Sequence, residues 1–189
     1  MKSRRNGSTT KVSGLQRVYR LKAKANKTPA IWQIVGYKNS GKTTLVCALI
    51  ERLREQGYSV AVIKHDMHGF EVDQPDTDTW KHRQAGASAT AITNGVRTAR
   101  MEEKGMKLQE LIQSYQSYDY ILVEGFKHEG YPKIVLIRDD KGLELLSLNA
   151  VKAVITWESM KKATSLLTPS EIPQYDINNV DALIKRMQL

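Results

Sequence analysis

The sequence predicts a three-layer α/β sandwich, a largely parallel sheet covered on both faces, with a β-hairpin insertion. Three observations lead there. Short apolar runs rich in β-branched residues, such as AIWQIV at 30–35 and YDYILVE at 118–124, alternate with stretches of helical period such as 41–56. The first run leads directly into a glycine-bearing loop, and that loop into a helix. One alternating segment, ATAITNGVRTARM, turns at Asn94-Gly95, a hairpin signal.

After Pro29, AIWQIVGY reads as a strand ending at Gly36. From Gly41 to Gln56 the apolar residues Leu45, Val46, Leu49, Ile50 and Leu53 recur at helical spacing, and Gly57 stands where a helix ends. Cys47 is read as a small core residue on that helix. YSVAVIK, 58–64, is a second buried strand, followed by the polar loop HDMHGFEVDQPDTDT and a short helix through DTWKHRQAG. In the hairpin that follows, Asn94-Gly95 is expected to be a two-residue turn of left-handed residues. MKLQELIQSY is a helix and YDYILVE the next strand. PKIVLIR and LELLSL, flanking Asp139-Asp140-Lys141-Gly142, are expected to form another hairpin. AVKAVIT is a strand and NNVDALIKRMQ the closing helix.

At 189 residues and 41% apolar content the chain suits one buried core, placed at 30–189. No apolar run approaches the ~20 residues of a membrane-spanning helix. The sole cysteine excludes an intramolecular disulfide and any multi-cysteine metal site. A cytoplasmic protein without membrane contact is therefore expected. The net charge of +9 resides in residues 1–29, which hold nine Lys and Arg and no acid, whereas the rest of the chain balances 20 basic against 20 acidic residues. Rich in Ser, Thr, Gly and Lys, this basic arm has a composition that expects disorder. It reads as a solvated or appended tail, as an arm for nucleic acid or an acidic partner, or as an organellar transit peptide. The neutral domain itself argues against a nucleic-acid role.

GYKNSGKTT, 36–44, has the spacing G-x-x-x-x-G-K-T of a phosphate loop, or Walker A motif. Backbone N–H groups of residues 37–44 (Tyr37, Lys38, Asn39, Ser40, Gly41, Lys42, Thr43, Thr44) would surround a phosphate, Gly36 and Gly41 letting the chain curl. Lys42 would bridge phosphate oxygens, and the Thr43 hydroxyl would hold Mg²⁺. Nucleotide hydrolysis calls for a second acid at a neighbouring strand end, and YILVEGF offers Glu124. The Gly125 N–H is a further candidate for the terminal phosphate. The loop with His65, Asp66, His68, Asp73, Asp76 and Asp78 could hold Mg²⁺ or shape a substrate pocket, bind zinc through its histidines, or be only a hydrated loop. Lys81 and Arg83 could meet an anion or simply be solvated.

The stretches GYKNSGKTTL, VIKHDMHGFEVDQPDTDTWKHRQAGA, ILVEGFKHEGYPKIVLIRD and DINNVDALI resemble the molybdopterin-guanine dinucleotide biosynthesis adaptor family, MobB, over about residues 31–189. The resemblance implies a P-loop NTPase fold that binds GTP with Mg²⁺, turns it over slowly at best, and forms a homodimer. It also implies a partner, the guanylyltransferase MobA, which makes the dinucleotide form of the molybdenum cofactor. Carried over by position, Gly36, Gly41, Lys42, Thr43 and Thr44 hold phosphate and Mg²⁺. His65, His68, Asp73, Asp78 and Arg83 fall on the second motif, and Glu124, Gly125, Lys127 and His128 on the third. The site expected from residues and resemblance together has Lys42 and Glu124 as catalytic groups, and Thr43, Glu124 and Asp73 at the metal. The phosphate loop, His65, Asp78, Arg83 and Gly125 are expected around the nucleotide. The basic arm is extra to the family pattern, and Asp66, Gly69 and Asp76 replace residues of some relatives.

Guanine preference follows from the resemblance alone, because the base-reading N-K-x-D motif is missing; NKTP at 26–29 lacks the aspartate. A loop after AVIT is placed to meet a base, as strand-end loops do in open α/β sheets. Three functions fit: a GTP-binding adaptor with weak GTPase activity, a small-molecule kinase or other transferase, and a metal-insertion or assembly NTPase.

Overall fold

The computed structural model describes residues 28–188 apart from Met67. The basic arm therefore lies outside the described residues, save Thr28 and Pro29. The strands are β1 (Ala30–Val35), β2 (Val60–Lys64), β3 (Ala89–Thr93), β4 (Thr98–Glu102), β5 (Tyr120–Glu124), β6 (Lys133–Ile137), β7 (Val151–Thr156) and β8 (Gln174–Asp176). Helices α1 (Lys42–Glu55), α2 (Asp78–Gln84), α3 (Leu108–Ser114), α4 (Lys161–Leu167) and α5 (Val180–Met187) alternate with them. Six strands make one parallel sheet, in the order β2-β5-β1-β6-β7-β8. β5 and β6 are buried at every position, which is why YILVE and KIVLI lack a polar alternation.

Side chains alternate across β1 with the period of two that a strand imposes. Trp32 and Ile34 join Leu45, Leu49 and Leu53 of α1 and Leu183, Ile184 and Met187 of α5 on one face. On the other, Ile31 packs with Leu108 and Ile112 of α3, and Val35 with Leu145 and Met160. These are the expected three layers. α1 closes as its spacing predicts: Gly57 N–H donates to Arg54 O at 2.9 Å and Tyr58 N–H to Leu53 O at 3.0 Å, a Schellman turn.

Four details depart from the sequence reading. LELLSL is not a strand: residues Asp140–Ser147 are 3-10 helical, with Leu145 buried. β6 has β1 on one side and β7 on the other, so no ladder is left for a hairpin partner, and the Asp139 carboxylate, accepting from Gly142 N–H at 3.2 Å, starts the helical turns instead. The β3-β4 hairpin exists, yet its central residues are Gly95-Val96, because Asn94 N–H pairs with Arg97 O at 2.9 Å. Asn94 acts through its side chain, whose Oδ1 accepts from Val96 N–H at 2.9 Å and Arg97 N–H at 2.8 Å. Cys47 is exposed rather than in the core, since α1 buries Leu45, Val46, Leu49 and Leu53 and turns position 47 outward. α4 and the three-residue β8 escaped the sequence reading; a strand that short shows no period.

Candidate nucleotide site

The loop between β1 and α1 lies at the carboxyl ends of the parallel strands, where open α/β sheets place their ligands. Asn39 at φ 62° and Gly41 at φ 97° give it a tight curl. A methyl group on Gly41 would stand 2.9 Å from Ile177 Cδ1 and 3.4 Å from Trp157 Cζ2, so both backbone angle and space demand glycine there. The opposite wall braces the loop. Trp157 Nε1–H donates to Ser40 O at 3.1 Å, and Arg138 donates to Asn39 O while its guanidinium sits 5.2 Å from the Trp157 ring centroid. Between the loop and this wall opens a cavity of about 480 Å³, lined by Asn39, Gly41, Lys42, Thr43 and Thr44 on one side and Arg138, Trp157 and Ile177 on the other.

Lys42 leans over the loop, its Nζ donating to Tyr37 O at 2.7 Å. Burial holds its pKa below the usual lysine range, the nearby Glu124 charge opposing that shift and Lys64 adding to it. Thr43 donates to the Glu124 carboxylate, 3.1 Å from Oε1 and 3.3 Å from Oε2. Glu124 is buried at the end of β5, with Lys64 Nζ 3.8 Å away. Tyr37 is flanked by the ammonium groups of Lys127 at 5.5 Å and Lys141 at 4.7 Å, and its hydroxyl meets the Glu144 carboxylate.

These residues fit a phosphate group with a divalent cation. The ammonium of Lys42 supplies positive charge, Thr43 and Glu124 put a hydroxyl and a carboxylate within one hydrogen bond of each other, and α1 starts at the loop. The Ser40 hydroxyl, buried against Gly36 inside the loop, has no hydrogen-bond partner.

The second motif is divided. His65 belongs to the site's edge: its N–H donates to Glu124 O at 2.9 Å and its ring stacks on Phe126 at 4.4 Å. Asp73 accepts from Thr79 at 2.9 Å and Thr77 at 3.2 Å, and Arg83 binds Glu71 at 2.7 Å and Glu103 at 2.6 Å, with Asp73 3.9 Å off. Asp78 lies in the first turn of α2. Asp73 and Arg83 thus clamp the loop, α2 and the end of β4 together; their contacts do not bring them to the phosphate loop. Among the described residues no three of His, Cys, Asp and Glu gather as a metal site. Gly125 gives its N–H to Ile34 O at 3.1 Å, and His128 is exposed. Arg138, Trp157 and Ile177 were not singled out from the sequence. Arg138 and Trp157 each follow a strand directly, a signal that could have found them; Ile177 follows β8, which was too short to recognise.

Glycine loop, lysine, threonine and strand-end carboxylate on this parallel sheet define a P-loop NTPase fold. The family model described as molybdopterin guanine dinucleotide synthesis protein B matches residues 31–157. The chain belongs to this family, MobB. It is 39% identical over 146 residues to the molybdopterin-guanine dinucleotide biosynthesis adapter protein of Haemophilus influenzae, covering 75% of this chain and 82% of that one. Among solved structures, the MobB homolog from Bacillus stearothermophilus aligns at a TM-score of 0.66 and 27% identity, over 84% of this chain and 98% of that one. The hydrogenase maturation factor HypB from Archaeoglobus fulgidus, at 13% identity and a TM-score of 0.50 over 85% and 89% of the two chains, shares the fold alone.

Proposed function

We propose that this chain, by family an adapter in molybdopterin-guanine dinucleotide biosynthesis, acts as a GTP- and Mg²⁺-binding homodimer in the cytoplasm that assists the guanylyltransferase MobA. The observation that carries the nucleotide part is the meeting of Lys42, Thr43 and Glu124 at the phosphate loop. Lys42, now on Tyr37 O, would serve the terminal phosphates, and Thr43 and Glu124 would hold the cation. Asp73 joins them only if the 65–78 loop closes, since Thr77, Thr79 and Arg83 now occupy it. The cation, when bound, neutralises phosphate charge. The base would lie against the wall made by Arg138, Trp157 and Ile177, which faces the loop across the cavity.

Hydrolysis is slow in this reading. An arginine directed at the terminal phosphate is worth orders of magnitude in rate, and Arg138 is bound to Asn39 O while Arg83 is enclosed by carboxylates. The dimer uses the β3-β4 hairpin, where Ile92 is 59% and Val96 97% exposed in the single chain.

The test is competition of GTP against ATP, each with Mg²⁺, on the purified chain and on Lys42→Ala, with phosphate release counted over an hour. GTP preference lost in Lys42→Ala, by about 100-fold or more, with few turnovers, is the expected result. Equal ATP binding, or rapid turnover without a partner, would overturn the assignment.

A further inference from the structure

β1 runs through the middle of the sheet, and Ile31 and Val35 pack into the apolar clusters of one face. Gln33 stands between them on that face, fully buried. An amide there is unfavourable unless its polar atoms find partners. Half of it does: Nε2 donates to Phe126 O at 2.7 Å and to Gly125 O at 3.3 Å. The other half, Oε1, is buried without a hydrogen-bond partner.

The two carbonyls belong to the residues directly after Glu124. Both residues are left-handed, Gly125 at φ 100° and Phe126 at φ 51°, a strained conformation for phenylalanine. The Phe126 ring stacks on His65, and a methyl group at Gly125 would come 3.1 Å from His65 Cβ. One strained turn therefore joins the carboxylate that meets Thr43 to the loop that carries Asp73.

We propose that Gln33 is a positioning residue of the nucleotide site: it holds the Gly125-Phe126 turn, and with it Glu124, and couples occupancy of the site to the 65–78 loop. This rests on the nucleotide-binding reading above. A terminal phosphate oxygen that draws the Gly125 N–H from Ile34 O turns the Glu124-Gly125 peptide, and the glycine, free to change φ and ψ, passes the turn to the Gly125-Phe126 peptide. There the Gly125 carbonyl swings away from Nε2 and the Phe126 N–H turns inward, where Oε1 accepts it. An amide serves both arrangements because it carries donor and acceptor on one carbon; a hydrocarbon serves neither, and a carboxylate repels the carbonyls. Phe126 then moves against His65 and passes the change to the loop.

The experiment compares the wild-type full chain with Gln33→Met, which keeps the volume and removes both hydrogen bonds. GTP affinity is measured in EDTA and in Mg²⁺, and hydrogen exchange is followed at 65–78 and 124–131 with and without Mg²⁺ and a non-hydrolysable GTP analogue. In the wild type, the complex changes exchange in both segments. Gln33→Met is expected to lose about tenfold of the Mg²⁺ enhancement of GTP affinity and to show no exchange response at 65–78. An unaltered enhancement and response in Gln33→Met would overturn the proposal. If Gln33→Met does not fold, the wild type still decides: nucleotide bound with Mg²⁺ but exchange at 65–78 unmoved rejects the coupling while leaving the nucleotide reading intact. A wild type that binds no nucleotide rejects both.

Discussion

The phosphate-loop side and the hairpin side of this molecule are built by opposite means. At the phosphate loop, the Ser40 and Asn39 carbonyls are braced by Trp157 and Arg138, Gly41 packs against Ile177, and the strands beneath are buried. At the hairpin, β3 and β4 expose most of their residues, and the tie to α2 and the 65–78 loop is the Arg83 group of ion pairs. The contrast teaches where each function can reside. A loop held by hydrogen bonds on a buried frame keeps its donors aligned for a small anion. A surface tied by ion pairs whose outer carboxylates, Glu71 and Glu103, reach water, with apolar residues exposed beside them, is suited to another protein chain.

Breaking the first region should cost most. Gly41→Val forces a branched residue to φ 97° and against Ile177, which should lower stability by ~2–4 kcal/mol and abolish GTP binding; denaturant unfolding with titration calorimetry checks both. A variant of wild-type stability would show that the loop is not braced by Trp157 and Ile177. Glu124→Gln keeps the shape and removes the charge, so affinity in Mg²⁺ should fall ~10–100-fold while affinity in EDTA holds. Equal losses in both would move Glu124 from the metal to the nucleotide or the fold.

Arg83→Met sharpens the other half of the contrast. It releases Glu71 and Glu103, so limited proteolysis should cut the 65–78 loop and the hairpin severalfold faster, and the difference from wild type should shrink in high salt. A tenfold loss of GTP affinity instead would place Arg83 at the nucleotide, as its motif position suggests.

The smallest effect is one of pH. Lys42 has a pKa below the usual lysine range in the free chain because it is partly buried, and a bound polyanion raises it. Protonated Lys42 is the form that binds, so GTP affinity should fall as pH rises through that lowered value toward the ordinary lysine range. Lys42→Arg, which does not titrate there, should bind with a flatter profile. Identical profiles would remove Lys42 from the phosphates.

Local signals were legible because local physics makes them. The glycine loop, α1 with its Schellman close at Gly57, the buried runs of β5 and β6, and Glu124 at a strand end can all be read from neighbours in sequence. LELLSL misled because apolar content alone does not separate a strand from helical turns; the decision lay with β1 and β7, which already occupied both edges of β6. Asn94-Gly95 misled by one residue because the Asn94 side chain took the role assigned to its backbone.

The sequence by itself determined that a phosphate loop follows a buried strand, that a carboxylate ends another, and which family's motifs the chain carries. Only the tertiary structure decided that Thr43 meets Glu124 across 81 residues of chain, that Trp157 and Arg138 support the loop, and that Arg83 turns toward Glu71 and Glu103. Glycines, caps and periodicity act within a few residues of themselves, whereas these partners are chosen by strand order, which no short stretch of sequence specifies.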